Sequence, residues 1–378
     1  MNKQPKKETE LENITNHGFN VEESSDKDID LAFLSLKIAL KAYFSTYHCH
    51  NGLLNYYIDN KEYFKDDDLM YCDLLGKSIL AKYCEAYTEC IIHFHHFAEL
   101  VCKNFLRHDN PLFVISPSDE KNIEKNILLK YKIVKNQLSL KDENDMKTIT
   151  FLDSLKALLS LIKAEEIKND YYQKLSFIEK HEEMLKKLNT LRNIVWHRGL
   201  YILYYEALDK LVGKYILPFV DEVTKHEKYS VYENLWNHTK IDCGINPIKE
   251  IINHFKEGYH NMEKIALVKE LGRAAYNIPS CWYSQDKKEK EAIENKALAI
   301  SKNSYDSEIA EIDRCPVCGF NSLIIYKYVE YEVDQNDVVY SETPYCSRVK
   351  CECCSFELHN DIRNASEYGI EGIRDYWV

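Results

Sequence analysis

From residue 29 to about residue 224 the apolar side chains recur at helical spacing almost without interruption. Residues 29–47 (IDLAFLSLKIALKAYFSTY) carry one such pattern, and residues 69–107 carry a longer one ending in CIIHFHHFAELVCKNFLR. Asp109, Asn110 and Pro111 predict its end, because proline cannot continue a helix and Asn and Asp favour turns. A charged, loosely patterned stretch follows over 118–147, after which Thr150 is placed to cap FLDSLKALLSLIKA. The pattern predicts one further helix over 175–198 and another over 200–224 that runs into Pro218. Five amphipathic helices with short polar connections predict an antiparallel bundle.

Beyond residue 225 the pattern loosens. IKEIINHFK and MEKIALVKELGRAAY read as helices, and 286–300 (DKKEKEAIENKALAI) as a solvated charged helix or a linker. From residue 320 the period changes to two. LIIYKYVEYEV and DVVYSE alternate on either side of the turn-prone DQND, which predicts a β-hairpin. The expected fold class is therefore mainly α, an antiparallel helical bundle plus a small β domain. The expected divisions are a disordered tail at 1–28, the bundle at 29–224, a helical connector of unassigned role at 225–311 and the β module at 312–378.

Composition narrows the function classes. The chain has 378 residues and a formal net charge of −12, which excludes a strongly basic protein that coats DNA. Residues 180–214 run against that balance, with seven Lys or Arg against four Asp or Glu. No apolar run approaches the roughly 20 residues that cross a bilayer, and the polar N-terminus lacks the apolar core of a signal peptide. A cytoplasmic location without membrane contact is the expectation. Richness in Lys, Asn, Ile and Tyr is compatible with an AT-rich bacterial source.

The 13 cysteines fall into two groups. Cys49, Cys72, Cys84, Cys90, Cys102, Cys243 and Cys281 are scattered, mostly among apolar helical residues, where a free thiol acts as a small hydrophobe. The rest crowd into 315–354. Cys315-Pro-Val-Cys318-Gly-Phe and Cys351-Glu-Cys-Cys354-Ser-Phe are near copies, each a Cys-x-x-Cys followed by a small residue and a phenylalanine. Two thiolates on one tight turn reach a common ion, and two such turns supply four thiolates at tetrahedral geometry, which suits structural Zn2+. The knuckles and the hairpin between them resemble a zinc ribbon. Cys346 and Cys353 are spare, and either replaces a ligand if the true register differs by one residue. A redox dithiol needs only one pair, and an iron–sulfur site is less common in a ribbon. A closed four-thiolate site has no open position for catalysis.

The most chemically loaded segment is Leu191-Arg192-Asn193-Ile194-Val195-Trp196-His197-Arg198-Gly199. Leu185, Leu188, Leu191, Val195 and Trp196 form one apolar stripe on a helical wheel, with Arg192 inside it. A guanidinium there is costly unless it meets an anion or lies in a shared seam. Asn193 and His197, four apart, share the neighbouring face.

Arg192-Asn193-x-x-x-His197 resembles the motif of HEPN domains, helical bundles whose ribonuclease members carry Arg, a polar residue, three variable residues and His. The likeness extends over about 29–224 and includes Glu99 and Lys103 on the earlier helix, the 148–161 segment and the following LYILYYEALDKLVGKYILP. It implies metal-independent RNA cleavage that leaves 2′,3′-cyclic phosphate ends. His197 would act as general acid or base, Arg192 would hold the scissile phosphate, and Asn193 would orient His197 or contact the phosphate. It also implies a homodimer with a composite site, tRNA or mRNA as target, a toxin or anti-phage role, and a phage-derived trigger or antitoxin as further partner. Some family members carry a modified Tyr two residues after the His, where this chain has Gly199. The competing expectation is a non-catalytic adaptor whose bundle and ribbon bind RNA or protein.

His93, His95 and His96 invite a metal reading, but no ligand spacing recurs, and packing of polar aromatics in a helix explains them better. With only 11 glycines and no glycine-rich phosphate loop, the sequence argues against a nucleotide-hydrolysing motor.

Overall fold

The computed structural model describes residues 30–49, 74–116, 123–135, 137, 147–164, 170–199, 201–232, 236, 241–258, 261–278, 287–302, 308–333 and 339–377. Among them the protein is mainly helical, with one four-stranded antiparallel sheet near the C-terminus. No helix in these segments is long and apolar enough to cross a membrane. The tail at 1–28, the DQND turn, Cys72 and Cys281 lie outside the described residues.

The core is built on two helices. Helix α1 (Leu31–His48) starts where the Asp30 carboxylate accepts from the N–H groups of Ala32 and Phe33. It buries Phe33, Leu36, Leu40, Tyr43, Phe44 and Tyr47, spaced three or four apart. Helix α2 (Leu74–Asp109) has 36 residues and so runs about 54 Å. It buries Tyr87, Cys90, Ile91, Phe94, Phe97, Val101 and Phe105. Asn110 then caps a short 3-10 turn at Pro111–Val114, as the stop signal predicts.

Helix α3 (Ile123–Val134) lies inside the stretch whose weak pattern predicted no element, and it exposes Ile127, Leu128, Tyr131 and Val134. Helix α4 (Phe151–Lys163) begins at Thr150, whose hydroxyl accepts from Asp153 N–H at 3.2 Å. The helix expected over 175–198 is broken. After α5 (Asp170–Lys174) come α6 (Phe177–Lys180) and α7 (Glu182–Arg198), separated by His181 in a non-helical conformation. Helix α7 packs on α2 and α4 and ends at Gly199, whose left-handed φ of 63° lets its N–H reach Ile194 C=O at 3.2 Å.

Helices α8 (Tyr205–Leu211) and α9 (Leu217–Lys225) are joined by a π turn over Val212–Ile216. Pro218 lacks an N–H, so an α-helical ladder cannot run through it. The wider turn, with Leu217 N–H bonded to Val212 C=O, absorbs the break and keeps the chain helical. Gly213 in that turn lets Phe255 of α10 (Pro247–Lys256) approach so closely that a Cβ would sit 2.2 Å from its ring.

The segment expected to be a connector holds α10, α11 (Met262–Ala275) and α12 (Lys287–Lys302). Helix α11 packs across α1 and is buried without a gap from Ile265 to Gly272. Helix α12 rests Ala297 and Ile300 against Ile324 and Tyr326 of the sheet.

The strands β1 (Glu308–Asp313), β2 (Leu323–Val333), β3 (Val339–Cys351) and β4 (Glu357–His359) are paired in that order. Leu323 pairs with Cys351, so the β2–β3 hairpin returns the second knuckle to the first. One apolar cluster contains residues of both the helices and the sheet, from Phe33 and Phe94 to Phe320, Phe356 and Tyr376.

Candidate functional site

The two cysteine knuckles meet. Cys315, Cys318, Cys351 and Cys354 are all buried, and their sulfurs lie within 4.8 Å of one another. The Cys315–Cys354 and Cys318–Cys351 separations are 3.6 and 3.7 Å. A tetrahedron with metal–sulfur bonds of about 2.3 Å has edges of about 3.8 Å, so the four sulfurs can hold one metal ion. Each knuckle repeats the same backbone bonds. Cys315 and Cys351 donate to Phe320 and Phe356, and Gly319 and Ser355 donate to Cys315 and Cys351. The N–H groups of Val317 and Cys353 point at the sulfurs of Cys315 and Cys351, 3.5 and 3.4 Å away, and Ser322 Oγ lies 3.2 Å from Cys351 Sγ. Hydrogen bonds from neighbouring cysteines pull the Cys318 and Cys351 thiols down, while burial pushes Cys315 and Cys354 up. A cation bound among them would favour the thiolate form of all four.

Cys346 and Cys353 stand outside the group. Cys346 sits on β3, and burial pushes its thiol up to about 11. Of the scattered cysteines, Cys90 and Cys102 are buried in the helical core, and burial pushes Cys102 up to about 12.

The turn after each knuckle requires a left-handed backbone, with φ of 71° at Gly319 and 59° at Ser355. The serine is held from outside. Arg273 of α11 donates to its carbonyl and, at 3.2 Å, to its hydroxyl, and Asn277 donates to the same hydroxyl at 2.9 Å. Nothing in the cysteine spacing announces this contact. Its one sequence trace is Glu270 and Arg273, three apart on the same helix.

The second group lies at the C-terminal end of α7. Leu185 and Leu188 are buried and Leu191 and Val195 half-buried, as the apolar stripe predicts. Trp196 departs from that stripe, with 61 % of its surface exposed. The Arg192 guanidinium lies over its ring at 5.7 Å, so the indole packs on the cation instead of the core. Arg192 Nη1 also donates to Asn193 Oδ1 at 3.0 Å, and Arg192 makes no ion pair among the described residues. Asn193 and His197 are exposed on the adjoining face.

Beneath them runs a polar strip that sequence reasoning caught only in part. Asn189, one turn before Asn193, accepts from His95 Nε2 of α2 at 3.0 Å. His95 Nδ1 lies 3.9 Å from Glu99, which takes a 2.6 Å bond from Lys103, and Lys103 donates again to Thr148 at 3.1 Å. Burial lowers the His95 and His96 pKa values, and the Arg192 charge adds to both shifts. The run Asn189, Asn193, His197 at intervals of four was the available signal. His93, His95 and His96 form no metal group among the described residues, and His96 instead shares a 2.7 Å hydrogen bond with Ser35. Chemically, this helix end offers a fixed cation, an amide, an imidazole and an open indole face to an incoming anion.

No family of known proteins, no curated protein and no solved structure matches the chain.

Proposed function

We propose that the protein is a metal-independent endoribonuclease of the HEPN kind with a structural zinc ribbon, acting as a bacterial toxin or in anti-phage defence. One observation carries the reading. Arg192 is half-buried without a carboxylate partner among the described residues, braced by Asn193 and Trp196, with His197 exposed one turn away. A structural arginine at that depth would be expected to pair with an acid, whereas a phosphate-binding one must keep its fork available.

In this reaction His197 takes the proton of a ribose 2′-OH, and the 2′-oxygen attacks the adjacent phosphorus. The bond from phosphorus to the 5′-oxygen breaks, and that oxygen leaves with a proton from the second acid–base group, supplied by His197 of a second copy. The products are a 2′,3′-cyclic phosphate and a 5′-OH. Arg192 offsets the charge that builds on the phosphorane oxygens. DNA resists because it lacks the 2′-OH. Trp196 offers its exposed face to an unpaired base beside the scissile bond. The four thiolates hold Zn2+, which when bound fixes the two knuckles and takes no part in the cut, since no coordination position is left open.

The test is expression in a bacterium with sequencing of RNA ends. The wild type should arrest growth and accumulate cyclic phosphate ends in tRNA or mRNA. Arg192→Ala and His197→Ala should each lower cleavage by about 10²–10⁴-fold while leaving the fold intact. If both variants arrest growth as the wild type does, or if neither they nor the wild type cuts RNA, a non-catalytic adaptor replaces this reading.

A further inference from the structure

The helix that clamps Ser355 also carries the only polar pair wholly inside the helical core among the described ion pairs, with both side chains at 0 % exposure. Lys269 and Glu270 are consecutive, each is 0 % exposed, and they point to different regions. Lys269 reaches into the bundle. Its amine donates to Asp209 of α8 at 2.8 Å and lies over the rings of Tyr205 at 3.9 Å and Tyr43 at 4.8 Å. Glu270 reaches toward the metal knuckle. Its two oxygens take Arg273 at 2.6 and 2.7 Å, and one also accepts the Glu357 N–H of β4 at 2.7 Å.

We propose that metal binding at the four cysteines is coupled to the order of the helical core through α11, with Arg273 and Ser355 as the joint. The two knuckles differ at three positions, and the difference between Gly319 and Ser355 supports this. The first uses Gly319 for its left-handed turn, at no steric cost and with no helix bonded to its backbone among the described hydrogen bonds. The second uses Ser355, whose side chain disfavours that conformation and whose hydroxyl and carbonyl are both taken by α11.

Cys354 immediately precedes this serine, so an ion on Cys354 holds the turn. When the ion leaves, the serine is free to relax to an extended backbone. Arg273 then loses two acceptors, and Glu357, two residues further on, carries its N–H away from Glu270. A wholly buried carboxylate with a weakened set of donors destabilises α11, and with it the Lys269–Asp209 contact to α8. Coupling of this kind is reciprocal, so an intact core in turn raises metal affinity.

The experiment is hydrogen exchange on the full chain, loaded with Zn2+ and again after chelation, for the wild type, Ser355→Gly and Arg273→Met. In the wild type, chelation should raise exchange at least about tenfold in residues 262–275 and 205–211, as well as in 315–356. In Ser355→Gly the turn no longer depends on the metal, so the response in 262–275 should fall at least about threefold while 315–356 still responds fully. Arg273→Met should show the same separation. If it does not fold, Ser355→Gly decides alone, since glycine suits the observed φ. An unchanged helical core on chelation, or a full response that survives Ser355→Gly, overturns the proposal. Neither readout involves RNA, so the result is independent of the proposed cleavage.

Discussion

The cysteine knuckles and the end of α7 solve the problem of holding chemistry in place in opposite ways. The groups at the knuckles are held from within one chain: four sulfurs face one another, the N–H groups of Val317 and Cys353 face two of them, and α11 holds the second turn. At the end of α7 the groups are braced from below but open above. Asn189 and His95 lock the helix onto α2, while Arg192, Trp196 and His197 reach solvent. A closed set needs only an ion to be complete and leaves no side open to a substrate. An open set leaves one side unfilled, and on the proposed function a phosphate, a base and a second copy supply it.

The sharpest way to break this contrast is to remove the metal. Structural zinc contributes about 10–16 kcal/mol in small zinc-dependent peptides, against a net stability of about 5–15 kcal/mol for ordinary domains. Chelation, or Cys354→Ser, should therefore lower the melting temperature by well over 10 °C and release about one ion per chain, measured by metal analysis and circular dichroism. A chain that keeps its melting temperature without the ion would make the knuckles no more structural than the open site.

The next effect concerns the buried pair. Lys269→Met removes the ion-pair partner of Asp209 at 0 % exposure, and burial already pushes the Lys269 amine down against the opposing pull of Asp209. A loss of about 3–5 kcal/mol in denaturant unfolding is expected. Trp196→Ala should do the reverse. With 61 % of the side chain in water, it should cost about 0.5 kcal/mol of stability or less, yet weaken binding of single-stranded RNA by about 1–3 kcal/mol in a titration with the His197→Ala chain. A large stability loss at Trp196 would mean that the indole belongs to the core after all.

What could be read from the sequence follows from the range over which each feature is decided. The four ligands lie in two tight turns, and two-residue spacing fixes their geometry locally, so Cys315, Cys318, Cys351 and Cys354 could be named directly. Thr150 and Asp109–Pro111 mark helix ends for the same reason. The direction of Trp196 could not be read, because a helical wheel assigns faces by angle and does not know that Arg192 one turn earlier will take the ring. Helix α3 does carry apolar residues at helical spacing (Ile123, Ile127, Tyr131, Val134), but they lie in a short run crowded with Lys and Glu, and Ile127, Tyr131 and Val134 stay exposed, so the pattern is easily read as a charged loop. The Arg273–Ser355 contact joins positions 82 residues apart, each unremarkable in its own segment. MEKIALVKELGRAAY reads as a helix without saying which face is covered, and the burial of Lys269 and Glu270 comes from α1 and the sheet closing over both sides of α11.

The smallest effect tests how the open site is supported. His95 is 4 % exposed, and its neighbours are Glu99 and His96 on α2, Asn189 and Arg192 on α7, and the Phe151 ring on α4. Burial holds its pKa below the ordinary histidine value, with the Arg192 charge acting in the same direction and Asn189 and Glu99 opposing. The folded chain therefore binds fewer protons than the unfolded one as the medium turns acidic. The stability tied to neutral His95 is fully present above about pH 6.5, the unfolded value, and is lost as pH falls through the lower folded value. One such group steepens the acid limb by at most about 1.4 kcal/mol per pH unit. His48, His93, His96 and His226 are shifted the same way, so the wild-type limb is a sum. Gln keeps an N–H for Asn189 and cannot take the proton. Unfolding midpoints for His95→Gln between pH 7.5 and 5 should thus show a shallower slope than the wild type, with little change at pH 7.5. Parallel slopes would mean that the imidazole finds a proton acceptor in the folded state, and that α7 is braced on α2 by packing alone.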